Sequence, residues 1–226
     1  MTYWILFIAI TVLSYIVQAS FQKKIEKASR IPMKDGLTGK EVAERMLREN
    51  NVSNVRVVSM RGELTDNYNP ANKTVNLSDT VYGQSSIASA AVAAHECGHA
   101  VQHATDYIPV KIRSALVPVV SISSKAVTWI LLLGMLLLKT FPQMMLVGII
   151  LFGLTTLFSL VTLPVEIDAS RRALAWLDKT GLTDYSNHEA AEGALRAAAY
   201  TYVVAALSSL ATLVYYIMIF MGGRRN

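Results

Sequence analysis

Four long apolar stretches divide the chain, and each approaches the roughly 20 helical residues that cross a bilayer core. They extend over residues 1–21, 116–139, 144–163 and 200–221. The first, third and fourth contain no Asp, Glu, Lys or Arg, whereas the second reaches full length only by including Lys125 in its interior and has Lys139 as its last residue. The pattern predicts four transmembrane helices. Because so few residues separate the second stretch from the third, we expect these two helices to form a tight hairpin.

The first apolar stretch is predicted to be an uncleaved membrane anchor. A secretory signal peptide carries basic residues before its apolar core, but no Lys or Arg precedes this stretch. A basic cluster follows it instead, at Lys23, Lys24, Lys27 and Arg30. This order favours an anchor whose N-terminus lies outside the cell.

Basic residues are distributed unevenly between the two sides of the predicted membrane. The segments 22–115 and 164–199 contain 13 and 4 of them, whereas the opposite side has only Lys139, Arg224 and Arg225. Loops rich in Lys and Arg remain in the cytoplasm. We therefore expect a multi-pass protein of a bacterial-type plasma membrane, with both large loops in the cytoplasm.

The first loop is predicted to contain both helices and strands. Apolar positions at helical spacing predict an amphipathic helix at 40–49. Alternating residues at 55–59 and 74–77 predict two strands, which we expect to pair antiparallel. The segment 66–70, Asp-Asn-Tyr-Asn-Pro, is typical of a turn. An Ala-rich helix, apolar almost all round and therefore expected to be buried, is predicted at 85–105.

The second loop is predicted to be helical. Pro164 is well placed to begin a helix, because proline fits the first helical turn, and we expect this helix to continue to near Asp178. A further helix is predicted to run from His188 into the fourth apolar stretch. The chain is thus predicted to be a mostly helical integral membrane protein, whose two loops assemble one small cytoplasmic α+β domain.

Composition supports the membrane assignment and excludes other classes. Hydrophobic residues make up 53% of the chain and charged residues 16%, with a mean hydropathy of +0.37, against about 25% charged residues in soluble domains. The net charge of +5 comes from basic residues beside apolar stretches, so we expect no nucleic-acid partner. A single cysteine, Cys97, excludes an intrachain disulfide framework.

The predicted helix at 85–105 carries the sequence His95-Glu96-Cys97-Gly98-His99. Two histidines four residues apart lie on one face of a helix, and both can bind one divalent ion such as zinc. Glu96 can then act as general base towards a water molecule that the ion acidifies. A chance match is the competing explanation. Burying a glutamate and two histidines on an otherwise apolar helix without a purpose would be costly.

A catalytic zinc site needs a third protein ligand. A histidine six residues beyond His99 is excluded because that position is Thr105. His103 lies about 12 Å along the helix axis from His95, so we interpret it as a surface or interface histidine. A carboxylate from a second helix remains, either Glu166, which shares a helical face with Ser170, or Asp168. The alternative for Glu166 is a solvated glutamate at the membrane surface.

The combination of motifs resembles the HtpX-like membrane metallopeptidases and, more closely, the YugP-like membrane zinc metallopeptidases. The resemblance covers nearly the whole chain in order, so it is far more specific than the pentapeptide alone. The matching stretches are Leu64-Thr65-Asp66-Asn67-Tyr68-Asn69-Pro70 and the segments 92–103, 166–174 and 197–203.

The resemblance implies one catalytic zinc ion bound by His95, His99 and Glu166, with Glu96 as general base. It also implies a zincin-like domain of the gluzincin type, a polypeptide substrate and a lipid bilayer around the apolar helices. The chain departs from the HtpX-like pattern at Ser170, where those proteins usually carry an aspartate. Hydrogen-bond support of a ligand histidine must then come from Ser170, from Asp168 or from elsewhere.

Peptide hydrolysis also needs a donor for the tetrahedral oxyanion. The sequence offers five unranked candidates, and for each tyrosine among them packing or an interfacial position is the alternative role. The candidates are Tyr68, Tyr82, Arg171, His188 and Tyr202. Cys97 is expected to be a small buried helix residue, and Lys125 is expected to extend towards the membrane surface.

The sequence therefore predicts a zinc-dependent endopeptidase that acts on membrane or membrane-associated polypeptides. An extended substrate could pair with the predicted strand at 74–77. One alternative is a membrane scaffold that binds zinc structurally, for which Cys97 or His103 would close the fourth coordination position. A transport component is a second alternative, but it predicts charged residues within the apolar stretches, where only Lys125 qualifies.

Overall fold

The computed structural model describes residues 2–223 of the chain. Arg224 and Arg225, which are predicted to lie on the side of the membrane opposite the two large loops, fall outside the described residues. The elements in chain order are α1 (Thr2–Ser29), α2 (Gly39–Glu49), β1 (Arg56–Met60), β2 (Asn67–Asn69), β3 (Thr74–Ser78), α3 (Asp79–Gly83), α4 (Ile87–Ala104), α5 (Ile108–Leu136), α6 (Pro142–Lys179) and α7 (His188–Gly223).

Four of these helices are long and apolar enough to cross a membrane, as the hydropathy pattern predicts. The apolar segments are Trp4–Ser29, Ile108–Leu136, Pro142–Lys179 and His188–Gly222. Within the described residues the chain divides into two compact units. We call residues 2–14, 108–164 and 202–223 the apolar unit, and residues 15–107 and 165–201 the α+β unit.

Glycines permit close packing of α5 and α6 in the apolar unit. A Cβ atom on Gly134 would lie 2.7 Å from Cα of Met145, and one on Gly148 would lie 2.7 Å from the side chain of Leu131. Small residues at helix interfaces allow backbones to approach in a membrane, where apolar burial alone does not favour association. α6 and α7 are joined by a hydrogen bond of 2.8 Å between the hydroxyls of Thr156 and Ser209.

The prediction that Pro164 begins a helix is wrong. Pro164 lies inside α6, which continues from Pro142 to Lys179. Proline has no N–H to donate to the preceding turn, and neighbouring groups in a helical membrane protein can compensate for such a loss. The helix that follows the third apolar stretch is therefore part of the same helix as that stretch.

The sheet of the α+β unit differs from the predicted antiparallel pair. Its strand order is β1-β3-β2. β1 and β3 are parallel, with Arg56 opposite Thr74, whereas β2 is antiparallel to β3. The segment predicted as a turn contains β2, and residues 70–73 form the hairpin turn to β3. The long link between β1 and β3 leaves room for this extra strand, so β3 lies between two partners.

The core of the α+β unit lies between α2, β3 and α4. α2 begins with a capping box in which Thr38 and Glu41 satisfy each other's backbone amides. The apolar face predicted for α2 is buried, and α4 is buried on nearly every side. Trp176 on α6 donates a hydrogen bond of 2.9 Å to Glu49 at the end of α2. These contacts fix α4 against α2 on one side and α6 against the same core.

Candidate metal centre

Two helices of the α+β unit bring three potential metal ligands together. His95 and His99 lie one turn apart on α4, and Glu166 lies on α6. Oε2 of Glu166 is 3.3 Å from Nε2 of His95 and 3.4 Å from Nε2 of His99. The ligand atoms of all three residues lie within 4.8 Å of one another. α6 is therefore the second helix that could supply a third ligand.

The two distances from Glu166 to the imidazoles fit a single zinc ion. Zinc binds histidine nitrogen and carboxylate oxygen at about 2.0–2.2 Å, and a tetrahedral site then separates neighbouring ligand atoms by about 3.3–3.5 Å. The separations of Glu166 Oε2 from the two imidazole nitrogens, 3.3 and 3.4 Å, fall within that range. Two imidazoles and one carboxylate are also a ligand set of catalytic zinc sites, which keep the fourth position open.

Gly98 allows the two ligand-bearing helices to approach each other. A Cβ atom on Gly98 would lie 2.7 Å from the carbonyl oxygen of Ala169 and 3.1 Å from its Cα. Because these are backbone atoms of α6, a side chain at position 98 would push α6 away from α4. A glycine between Glu96 and His99 is therefore a structural requirement for bringing Glu166 to the histidines.

The ligand carboxylate is buried. Glu166 is 2% exposed and His99 is 8% exposed, while His95 is partly buried. A carboxylate in such a position is costly unless hydrogen bonds and an opposite charge compensate for lost solvation. A divalent cation at the point where the three side chains meet would supply this compensation.

Ser170 contacts the outer nitrogen of His95. Its Oγ lies 3.1 Å from Nδ1 of that imidazole. If Nε2 of His95 binds the metal, Nδ1 carries the proton and donates it to Ser170 Oγ. Ser170 stands where the HtpX-like pattern has an aspartate. Its hydroxyl is thus placed to orient the His95 imidazole.

His99 is oriented by a residue that the sequence analysis missed. Nδ1 of His99 lies 3.1 Å from Oε1 of Gln102, which is fully buried. Nε2 of Gln102 donates to the carbonyl oxygen of Val165 at 2.7 Å and to Asp168 Oδ2 at 3.0 Å. A signal was present in the sequence, because Gln102 lies three residues after His99, on the same face of an apolar helix. Asp168 therefore reaches the centre through Gln102.

Glu96 lies next to the ligands and is 8% exposed. Burial raises the pKa of Glu96 to about 7, while the nearby charge of His95 lowers it and that of Glu166 raises it. The backbone amide of Tyr68 on β2 also favours the ionised form of Glu96 by hydrogen bonding, which lowers this pKa. A carboxylate with a pKa near neutrality is suited to accept and return a proton.

Comparison with known proteins agrees with this geometry. A family model described as "Putative neutral zinc metallopeptidase" matches residues 3–221. The chain belongs to this family. It is also 40% identical, over 97% of its own length and 98% of the relative's, to the "Putative membrane protease YugP" of Bacillus subtilis (strain 168). No solved structure matches the chain.

Membership of the zinc metallopeptidase family confirms the resemblance drawn from the sequence motifs. The family's description names zinc, and the cluster of His95, His99 and Glu166 is a group that could hold such an ion. The relative's name and the four apolar helices together support a multi-pass membrane protein.

The other candidate residues have varied surroundings. Arg171 is largely exposed and donates to Asp168 Oδ1 at 2.7 Å. The ring of Tyr68 packs against that of His103, with centroids 5.4 Å apart. Tyr202 lies on α7 in the apolar unit and is partly exposed, so its predicted role stays a prediction. The remaining two lie within the α+β unit, Tyr82 beneath Lys40 and His188 beside Thr183.

Proposed function

We propose that the chain is a zinc-dependent endopeptidase in which His95, His99 and Glu166 hold one catalytic zinc ion and Glu96 is the general base. The observation that carries this proposal is the convergence of the three ligand atoms within 4.8 Å. Glu96 follows His95 directly, which places its carboxyl group beside the ion. The α+β unit would then be a zincin-like domain of the gluzincin type.

Each residue of the centre has a role in this reaction. When bound, zinc polarises the scissile carbonyl group and lowers the pKa of a water molecule. Glu96 accepts the proton of that water and transfers it to the amine that leaves. Ser170 orients His95, and Gln102 orients His99. Burial of Glu166 and His99 keeps bulk water from competing for the ligand atoms.

We place an extended substrate on β2 rather than on the strand at 74–77. The sequence favoured that segment for β-augmentation, but β3 already pairs with β1 and β2. β2 is an edge strand, and the Tyr68 amide within it interacts with Glu96. Its outward backbone groups therefore lie beside the proposed general base, where a substrate strand could pair with them.

The proposed oxyanion donor is Tyr68 or a neighbouring group on the same edge strand. Tyr68 is a partly buried residue, and its amide donates a hydrogen bond to the carboxylate of Glu96. Arg171 is less suited, because its guanidinium is largely exposed and donates to Asp168. A donor on β2 would bind substrate and stabilise its developing charge from one strand.

Substrates of this enzyme are proposed to be membrane or membrane-associated polypeptides. Four apolar helices fix the enzyme in a bilayer, so substrates that share the bilayer meet the site most often. We place the enzyme in a bacterial-type plasma membrane with its N-terminus outside. Both loops that build the centre would then be cytoplasmic, as the distribution of basic residues indicates.

The alternative of a structural zinc site is less well supported. It requires Cys97 or His103 to close the fourth position, and neither belongs to the ligand cluster found among the described residues. The Cys97 thiol is buried and directed at the carbonyl oxygen of Ala43, 3.5 Å away. His103 packs against Tyr68. A set of two imidazoles and one carboxylate is typical of catalytic zinc sites, which favours catalysis over a structural role.

Glu96→Gln in the detergent-purified protein tests the proposal. The variant should retain zinc while cleavage of an unfolded membrane protein or casein falls by about 100- to 10,000-fold, since the amide cannot accept a proton. Glu63→Gln, an exposed glutamate, is the matched control and should cleave at the rate of the wild type. Equal cleavage by wild type and Glu96→Gln would remove Glu96 from this role.

A further inference from the structure

We propose that Gln102 is the positioning residue that selects the tautomer of His99 and presents its Nε2 to the metal. The inference rests on the proposed zinc site but concerns a residue outside the ligand set and the general base. The observation behind it is an uninterrupted chain of hydrogen bonds from His99 through Gln102 to Asp168.

The orientation of the Gln102 amide follows from its partners. Its nitrogen faces the carbonyl oxygen of Val165 and the carboxylate of Asp168, at 2.7 and 3.0 Å. Both partners accept hydrogen bonds and neither can donate one. The nitrogen of the amide must therefore point at them, which leaves Oε1 to face His99. Gln102 is fully buried. In the opposite orientation, its Oε1 would face the oxygens of Val165 and Asp168 with no hydrogen to share, which is unfavourable.

The orientation of Gln102 determines which nitrogen of His99 carries the proton. Oε1 is an acceptor, so Nδ1 of His99 must be the donor across their separation of 3.1 Å. A neutral imidazole carries one proton. Nε2 then carries no proton, and its lone pair is available to bind a metal, 3.4 Å from Oε2 of Glu166. Gln102 thus holds His99 in the form that binds a metal.

The two ligand histidines differ in this respect. The partner of His95 is the hydroxyl of Ser170, 3.1 Å from Nδ1, and a hydroxyl can donate or accept. Ser170 is therefore compatible with either tautomer of His95, whereas Gln102 permits only one tautomer of His99. Of these two contacts, only the one from Gln102 determines which nitrogen of its histidine can bind the metal.

Asp168 anchors Gln102 in turn. Its carboxylate accepts hydrogen bonds from Arg171 at 2.7 Å and from Arg172 at 2.6 Å. The guanidinium of Arg172 also lies 5.7 Å from the ring centroid of Tyr107, and the Tyr107 amide donates to the Gln102 carbonyl oxygen at 3.0 Å. The end of α4 and the first turns of α6 after Pro164 are therefore joined around the Gln102 side chain.

Two substitutions at this position separate orientation of His99 from support of the fold. Gln102→Met has a similar length but cannot accept from His99 or donate to Asp168. Gln102→Glu retains an acceptor for His99 but sets a second carboxylate beside Asp168. We expect Gln102→Met to lower zinc affinity by about 10- to 100-fold. Gln102→Glu should bind zinc more tightly than Gln102→Met while melting at a lower temperature than the wild type.

Val101→Ala is the matched control for a general loss of packing on α4, because Val101 is buried next to Gln102 and has no role at the centre. Zinc affinity is measured by chelator competition on the full chain in detergent, and visible spectra of the cobalt-substituted protein report ligand geometry. Val101→Ala should lower the melting temperature and leave both readouts unchanged. If Gln102→Met binds zinc as the wild type does, or no more weakly than Val101→Ala, the inference is overturned.

A second measurement is made on the wild type and uses one variant only to assign a signal. Nitrogen NMR of the zinc-loaded wild type, labelled at its four histidines, reports which imidazole nitrogens are protonated. His99, assigned through the loss of its signal in His99→Asn, should carry its proton on Nδ1. A proton on Nε2 of His99 would overturn the inference. A wild type that binds no zinc overturns both this inference and the proposed function, whereas zinc binding without peptidase activity removes only the latter.

Discussion

Gly98 on α4 and Ala169 on α6 face each other with no space for a side chain between them. The carbonyl oxygen of Ala169 would lie only 2.7 Å from a Cβ atom on Gly98. Ala169 lies three residues after Glu166, so this contact sets the distance between the helix that carries the histidines and the carboxylate of the other helix. The proposed metal centre therefore depends on a residue that has no ligand atom of its own.

Gly98→Ala should weaken zinc binding although alanine favours helices. The added methyl group must displace backbone of α6, and overpacking of this kind costs about 1–3 kcal/mol. We expect a lower melting temperature and loss of stoichiometric zinc, measured by metal analysis of the purified protein. Gly193→Ala is the control, because the nearest atom, Cδ of Lys24, would lie 3.9 Å from its Cβ. That variant should be as stable as the wild type or more so, with full zinc content.

Glu166→Ala should lose stoichiometric zinc, since two imidazoles alone leave the ion without its buried carboxylate ligand. The control is Asp178→Ala, which removes an exposed carboxylate from the same helix. Metal analysis after dialysis against a weak chelator distinguishes the two variants. Equal zinc in wild type and Glu166→Ala would contradict the assignment of the third ligand.

The contact between Glu49 and Trp176 predicts a pH dependence of stability. Hydrogen bonds from Arg45 and Trp176 lower the pKa of Glu49 in the folded protein. The carboxylate therefore stabilises the fold above its unfolded pKa of about 4.3, and this contribution is lost as pH falls through the lower folded pKa. The effect should be small, because the Glu49 side chain is 38% exposed and solvent screens such pairs.

Circular dichroism melting curves in detergent between neutral and acidic pH measure this contribution. Glu49→Gln retains an acceptor for Trp176 but has no carboxylate to titrate. Its melting temperature should fall less between neutral pH and pH values below the folded pKa than that of the wild type. Glu63→Gln, which changes an exposed glutamate outside this contact, should follow the wild type. Parallel curves for wild type and Glu49→Gln would show that this pair contributes nothing.

The proposed topology predicts opposite accessibility of two exposed positions. Cys97 is buried and its thiol pKa is raised well above the ordinary value by burial, so it should not react with a membrane-impermeant maleimide. Single cysteines at Ser53 and Lys139, both exposed, then report the two sides. In intact cells we expect labelling at 139 alone, and at 53 only after permeabilisation. The reverse pattern would place the metal centre outside.

Periodicity in the sequence was sufficient to predict the helices and the pair of histidines. The four apolar stretches, the amphipathic α2 and the buried α4 all follow from local spacing. His95 and His99 lie on one face by helical geometry, whatever the rest of the chain does. Glu166 is different, because its approach to the histidines depends on two helices distant in sequence. The sequence left that choice open, and only family resemblance favoured Glu166 over Asp168.

The errors arose where tertiary structure overrides a local signal. Pro164 resembles a helix start, but the apolar helix before it simply continues. The segment 66–70 has turn residues, yet pairing with β3 makes 67–69 a strand. Parallel pairing of β1 and β3 depends on the path of a long link, which residue types do not determine. Gln102 escaped attention because its position on the same face of α4 as His99 gains meaning only when α6 brings Val165 and Asp168 to its amide.

The hydrogen bond between Trp176 and Glu49 also gives the protein a built-in optical probe. Of its three tryptophans, Trp4 and Trp129 are exposed on apolar helices, whereas Trp176 is 7% exposed in the core of the α+β unit. Replacing the first two with phenylalanine would leave one fluorophore whose emission reports the integrity of the unit that holds the ligands. Loss of the ion, opening of the helices and unfolding could then be followed in real time in lipid vesicles, without attaching a dye.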